Sequence, residues 1–446
     1  MGPSMLTLWE LSDGFGGRLS GSPAYQASAE WAVKKLTSYG LQNVHLEPFE
    51  IPNGWQRGSA HGELTSPMVR PLHVASLAWC PSTPAGGIEG EVVVVDDLSP
   101  DHIKAQAEQI KGRIVLFDTA RIFAQGLMKS LPVLYASYPH LKDAGALGIL
   151  YPDREKDNVL NAHDSLWGAK INPLPDFEIG MEDGKLLRRL LDAKQKVMVK
   201  LEADNKISGP TVVNNVVAEI RGSERPDEWI LVGAHLDSWD FGTGAQDNGS
   251  GSAMVLEAAR AIAALGRAPR RSIRFVLWGG EEQGMLGSFA YTQAHAGELK
   301  KCVAALNTDN GAGHPRGWKV ESRKDLMDNM RPISNKFLRD LSGDGLSMEL
   351  TFDTDHGPFL LKGIPALDLE VDMSHYMEIH HKSSDTFDKV DALDFKADAA
   401  VVAVTAYVLA NSEAPIAPHL DHAAVAEIVK KSGIEDLLKE EHLWKP

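Results

Sequence analysis

The stretch GAHLDSWDFGTGAQDNGSGSA, residues 233–253, carries one histidine, three aspartates and five glycines in twenty-one positions. It follows directly on Trp229-Ile230-Leu231-Val232, an apolar run that reads as a buried strand. A strand that ends in so many charged and hydrogen-bonding groups has two readings. The segment is a polar loop with Asp247 capping a helix that begins near Ser250, or it is the start of a metal site.

Outward from this segment the chain alternates strand and helix. Residues 212–220 and 228–234 are predicted strands, 252–265 an alanine-rich helix, 274–278 a strand, 286–294 a helix and 302–306 a strand. Residues 324–341 are predicted helical with a break at Pro332, 364–371 form a strand, and 394–409 and 423–440 are the closing helices. Such alternation predicts an α/β fold, a doubly wound, mostly parallel sheet with helices on both faces. In sheets of this kind ligands bind beyond the carboxyl ends of the strands.

Towards the N-terminus, 28–39 is a predicted helix that stops at Gly40, and 44–51 a strand. Between 61 and 200 the texture changes to short β-rich runs at 90–96, 112–118, 146–152 and 197–201, with one short helix at 141–146. Three parts are expected: 1–60 as the N-terminal part of the main domain, 61–200 as an inserted β-rich module, and 201–446 as the main part. A chain of 446 residues accommodates two or three domains.

Composition removes several function classes. The formal net charge is −16, which excludes a phosphate-binding surface for nucleic acid. The two cysteines, Cys80 and Cys302, form no disulfide framework and read as free thiols. No apolar run reaches the ~20 residues of a membrane helix, and 399–410 reads as a core helix. Met1-Gly2-Pro3-Ser4-Met5 reads as an addition ahead of the natural start, so a secreted or periplasmic protein with its leader removed is expected.

The strand ends collect the chemistry. His235 and Asp237 follow the first strand, with Asp247 ten residues on; Gly279-Gly280-Glu281-Glu282 follows 274–278; Asp309 follows 302–306; His380-His381 and Asp385 follow 364–371. Singly, each has a structural reading as a cap, a turn or a solvated loop. Jointly they put a histidine or carboxylates at four strand ends on one rim. Zinc takes histidine nitrogen and carboxylate oxygen, and two ions need one bridging carboxylate and about two terminal ligands each. His235, Asp247, Glu282, Asp309 and His381 supply that set. Asp237, two along from His235, is expected to accept the other imidazole N–H and orient the ring. Glu281 is left as an uncoordinated carboxylate beside a ligand, suited to a general base.

Four segments in this order, GAHLDSWDFGTGAQDNGSG, LWGGEEQGMLGS, NTDNGAG and HHKSSDT, resemble the co-catalytic zinc aminopeptidases of metallopeptidase family twenty-eight. Gly17-Arg18-Leu19-Ser20-Gly21-Ser22 is similar to that family's opening motif, and 61–200 to its inserted protease-associated domain. The resemblance implies two zinc ions bridged by Asp247, one held by His235 and Asp309 and the other by Glu282 and His381. It implies a cis peptide at Asp247-Asn248, a water between the ions activated by Glu281, a peptide substrate with a free N-terminus, and a homodimer. His380 then lines the pocket, and Asp355-His356, ahead of Gly363-Ile364-Pro365, resembles a substrate-binding segment. Three other readings share the fold: a carboxypeptidase that releases the C-terminal residue, a one-zinc glutaminyl-cyclase-like acyltransferase, and a receptor without metals. The complete ligand set argues against the last two.

Overall fold

The polar segment joins the end of one strand to the start of one helix. The computed structural model describes residues 2–445, apart from the side chains of residues 127 and 128. Its main sheet holds β1 (Gln42–Gln56), β2 (Lys206–Ile220), β3 (Arg225–His235), β4 (Arg271–Trp278), β5 (Cys302–Asn307), β6 (Pro315–Lys319), β7 (Gly345–Ser347) and β8 (Ala366–Val371). Across the sheet they run β1-β2-β4-β3-β5-β8-β6-β7. Strands β4, β3, β5 and β8 are parallel, whereas β2 on β4 and β6 on β8 are antiparallel. The sheet is therefore mixed, parallel at its centre, where the sequence pattern suggested a mostly parallel one. Strand β6 follows β5 after 308–314 alone, too short for the crossover helix that keeps strands parallel.

Register decides where the chemistry gathers. His235 pairs with Trp278, Gly233 with Asn307, and Asn307 with Asp368. The carboxyl ends of β3, β4, β5 and β8 thus share one rim.

Five helices matter for this rim: α1 (Pro3–Phe15), α2 (Pro23–Ser38), α3 (Ser250–Ala264), α4 (Leu286–Ala294) and α5 (Ala392–Asn411). On one face α3 and α5 pack on each other and on β3 and β4, with α1 and α2 against α3. On the other, Trp229, Leu231, Val276 and Trp278 meet Tyr291 of α4 and Phe359 in one apolar cluster, the Trp278 and Tyr291 rings edge-on at 5.3 Å. Each large side chain buried this way contributes about 1.5–3 kcal/mol. Helix α1 went unforeseen, although it buries Leu8 and Leu11 completely. Ser22 caps α2 by accepting the Tyr25 N–H. The helix expected to break at Pro332 runs Lys324–Phe337 through it. The one expected over 423–440 is two, His422–Ser432 and Glu435–Glu440, parted at Gly433 with φ of +79°. Among the described residues no helix is long and apolar enough to cross a membrane.

Asp398 on α5 is fully buried, and neither carboxylate oxygen has a hydrogen-bond partner among the described residues. Burial, with Asp394 one turn away adding to it, pushes its pKa up to about 9. Between about pH 4, where an unfolded aspartate ionises, and pH 9 the folded state holds a proton that the unfolded state releases, so stability falls as pH rises. Asp398→Asn is therefore expected to stabilise the fold, on the order of 2–4 kcal/mol at pH 7 and by little near pH 4. Urea unfolding at both values checks this; equal effects at the two would contradict it.

By compactness, residues up to Ile51 with Val212–Ser432 form one unit, and Pro52–Thr211 with Gly433–Lys445 a second. The expected limits at 60/61 and 200/201 fall inside the second unit's strands Ala60–Ser66 and Met198–Ala203, and the inclusion of Gly433–Lys445 went unforeseen. That unit's own sheet has eight strands, among them the parallel set Ile88–Val95, Ile114–Phe117, Gly148–Pro152 and Asp176–Ile179. It is more helical than its β-rich texture suggests. The short helix expected at 141–146 is the end of Leu127–Asp143, whose two internal prolines, Pro132 and Pro139, disguise it, and Met181–Asp192 is a second long helix. Cys80 and Cys302 are both free and buried.

Candidate metal centre

Asp247 does not cap α3. Gly249 stands at the N-cap position with no side-chain hydrogen bond, and Asp247 lies on the preceding turn, buried, its peptide to Asn248 cis as the resemblance implies. Asp385 holds that turn. Its Oδ1 accepts the Gln246 N–H at 2.7 Å and its Oδ2 the Asp247 N–H at 3.0 Å. The Asn248 amide donates to the Thr308 carbonyl at 2.8 Å, tying the turn to the loop that carries Asp309. The Ser252 hydroxyl donates to the His235 carbonyl at 2.7 Å, tying α3 to the end of β3.

With the backbone so fixed, the two Asp247 oxygens serve two groups. Oδ1 lies 3.3 Å from His235 Nε2, which is 3.0 Å from Asp309 Oδ1. Oδ2 lies 3.2 Å from His381 Nε2, which is 3.2 Å from Glu282 Oε2. Ligand atoms about 2.1 Å from one tetrahedral ion lie roughly 3.4 Å apart, so both groups have the spacing of a shared cation. Asp247 Oδ2 and Glu282 Oε1 are buried with no hydrogen-bond partner among the described residues, which leaves acceptors that a cation satisfies. The donor set of histidine nitrogen and carboxylate oxygen fits zinc. A cavity of about 10 Å³ beside Asp247 and His381, bounded also by Trp239 and Asp385, has room for about one water-sized atom.

The glycines at the second strand end are steric. A Cβ on Gly279 would come within 2.2 Å of the Tyr25 hydroxyl, and Gly280 has φ of +72°. Only this tight turn brings Glu281 and Glu282 back over the rim. Glu282 joins His381, whereas Glu281 Oε2 stands 3.9 Å from His235 Nε2, farther than any ligand contact. Burial, then Asp309, Asp355 and Glu282 against the pull of His235, holds the Glu281 carboxyl well above the usual range. Burial and Asp247 push Glu282 up to about 7 against His381 and His235. For His381, burial is outweighed by Glu282 and Asp247, which take it up to about 10. For the two glutamates these directions reflect burial first and crowded carboxylates second; a divalent cation among such groups keeps carboxylates ionised.

His380 reaches the centre as well. Its Nε2 lies 3.4 Å from Asp247 Oδ2, and its ring stacks on His381 at 3.7 Å. Burial and the neighbouring His381 push it down to about 3, so it stays neutral. Of the two, only His381 is within ion-pair reach of Glu282. His381 has φ of +61°, a strained conformation of the kind stored at functional sites, and Trp239 packs edge-on against its ring at 5.8 Å.

One expectation needs correction. The Asp237 carboxylate does not take the His235 N–H: Nδ1 is 2.9 Å from the Asp237 backbone carbonyl and 3.6 Å from the carboxylate. That carboxylate accepts the Ser20 hydroxyl at 2.9 Å and the Glu281 N–H at 3.3 Å, so it positions Glu281. His356 is buried with Nε2 2.7 Å from the Thr351 carbonyl and 3.4 Å from Glu321, which anchors its own segment. Asp355 is also buried, accepts the Ser288 hydroxyl at 2.5 Å, and is pushed up to about 8 by burial and by Asp309 and Asp237. Its Oδ2 is buried with no hydrogen-bond partner among the described residues.

Arg18 had no role assigned from sequence. Its fully buried guanidinium donates to the carbonyls of Leu236, Gly16, Thr243 and Gly244 at 2.7–3.1 Å. Burial lowers its pKa to about 10 against the pull of Asp385, Asp237 and Asp247. Tyr376, equally unassigned, packs on His380 at 5.1 Å; burial and the carboxylates of Asp247, Asp309 and Glu282 make it retain its proton. The opening motif marked Arg18, but nothing in its spacing showed which loop it would staple.

The chain has counterparts among known proteins. The model of peptidase family M28 matches residues 215–406. Carboxypeptidase Q from Mus musculus is 30% identical over 412 residues, covering 90% of this chain and 84% of that protein. The crystal structure of a peptidase M28 precursor from Shewanella amazonensis SB2B superposes with a TM-score of 0.81 at 30% identity, over 94% of this chain and 95% of that one. A zinc aminopeptidase from Bacillus subtilis shares the fold, with a TM-score of 0.72 at 22% identity over 94% of this chain and 97% of that one. The chain belongs to peptidase family M28 and is a hydrolase of that family.

Proposed function

We propose that the chain is a di-zinc exopeptidase that removes the N-terminal residue of short peptides or dipeptides, with Glu281 as general base. The observation that carries this is the division of Asp247: one oxygen faces His235 and Asp309, the other His381 and Glu282. When bound, two zinc ions supply Lewis acidity that makes a nearby water acidic and polarises the scissile carbonyl. The rest falls to side chains. Asp237 holds the Glu281 N–H, fixing the carboxylate that takes the proton of the attacking water and returns it to the leaving amine. The free α-ammonium of the substrate is met by the surplus of carboxylates around His235. The unit at 52–211 is read as the family's protease-associated insertion.

A single peptide presented with a free and with an acetylated N-terminus tests the direction of attack. The free form is expected to lose its first residue and the acetylated form to resist, with about 10²-fold or more between their kcat/KM values. Release of the C-terminal residue from both forms at similar rates would replace this reading with the carboxypeptidase one.

A further inference from the structure

The second unit repeats a feature of the first, a set of parallel strands whose carboxyl ends open on a concavity. Strands Ile88–Val95, Ile114–Phe117, Gly148–Pro152 and Asp176–Ile179 end at a cavity of about 450 Å³, lined wholly by residues of this unit. That volume lies in the range of small-molecule sites, and the carboxyl ends of parallel strands are where such sites form. Leu116, Phe117, Phe123 and Met181 make the apolar part of its wall, beside Asp118, Thr119 and Asp153.

The charges around that wall are unevenly committed. Arg188 is spent within the fold: its Nη1 donates to Asp118 at 2.8 Å and its Nε to Asp192 at 3.0 Å. Asp153 is half spent: its Oδ1 accepts the N–H groups of Arg154 and Glu155, and its Oδ2 is buried out of reach of solvent with no hydrogen-bond partner among the described residues. Arg154 and Lys185, both exposed at the cavity, make no ion pair among the described residues. The Arg154 guanidinium lies over the Phe123 ring, 5.0 Å from its centroid, which holds the charge at the apolar edge. An apolar wall with two uncommitted cations at its rim complements a molecule with an apolar body and one negative end.

We propose that this cavity binds a small carboxylate carrying an aromatic or aliphatic body, the carboxylate on Arg154 and Lys185 and the body against Phe117, Phe123 and Met181. The site has no part in the hydrolytic reading above, and no arm of its test uses peptide hydrolysis.

The probe is 4-phenylbutyrate, titrated calorimetrically into the full chain, zinc-loaded and after chelation. Saturable binding of about one molecule per chain is expected in both states. The uncharged 4-phenylbutanol is expected to bind about tenfold more weakly, or worse. The double variant Arg154→Glu, Lys185→Glu is expected to weaken 4-phenylbutyrate by the same factor or more. If that variant unfolds, the neutral pair Arg154→Gln, Lys185→Gln, at exposed positions, serves instead. Failure to saturate at millimolar probe, loss of binding on chelation alone, or unchanged affinity in the folded charge variants would each overturn the proposal.

Discussion

Glu281→Gln is expected to lower kcat by about 10²–10⁴-fold, the usual contribution of a positioned general base, while zinc content and folding stay as in the wild type. The geometry makes the separation of effects sharp. Glu281 and Glu282 are adjacent in sequence, yet only Glu282 reaches a histidine at ligand spacing, 3.2 Å from His381, while Glu281 stands 3.9 Å from His235. Removing the Glu281 charge should spare the metals and stop proton transfer. Glu282→Gln should do the reverse and release zinc. The two variants are compared by zinc analysis and by kcat on a dipeptide. Full activity in Glu281→Gln would remove it as the base; loss of zinc from it would make it a ligand.

Arg18→Met is expected to destabilise the larger unit by about 3–5 kcal/mol, the range for breaking a buried charged network. The substitution keeps much of the volume but strips donors from four carbonyls, those of Leu236, Gly16, Thr243 and Gly244. Each orphaned buried acceptor costs about 1–3 kcal/mol before relaxation. The same change removes a buried guanidinium whose charge opposes Asp385, Asp237, Asp247 and Glu282. The folded fraction should therefore also bind zinc about 10–100-fold more weakly, the scale for groups that orient metal ligands. Arg18→Lys should rescue little, because an ammonium cannot reach four acceptors as a planar fork does. Urea unfolding and zinc titration of the folded fraction measure both effects. A change under 1 kcal/mol (about the value of one ordinary hydrogen bond) would show that the staple is dispensable.

Sequence reading served best where one strand end decided a residue's place. His235, Glu282 and Asp309 lie within a few positions of an apolar run, so strand direction alone put them on one rim. Asp247 and His381 needed more, because loops carry them. The Asp385 carboxylate that holds the Asp247 turn lies 138 positions from it along the chain, and no local pattern reports such a pairing. The same limit explains Asp237: two-residue alternation aimed it at His235, but the strand ends at His235, and beyond it the alternation no longer applies. His356 was expected at the pocket only because its segment resembles a substrate-binding one, and nothing local to it announced that Glu321 and the Thr351 carbonyl would hold its ring inside. In the second unit, Pro132 and Pro139 hid a seventeen-residue helix from any propensity argument. Tertiary packing outweighed the local cost of those prolines.

The central claim is that Asp247 stands between two cations. Elemental analysis of the purified, dialysed chain after zinc loading tests it most directly. About two zinc ions per chain are expected for the wild type, falling to fewer than one in Asp247→Ala because both groups lose their shared ligand. One zinc in the wild type, or two retained in Asp247→Ala, would contradict it.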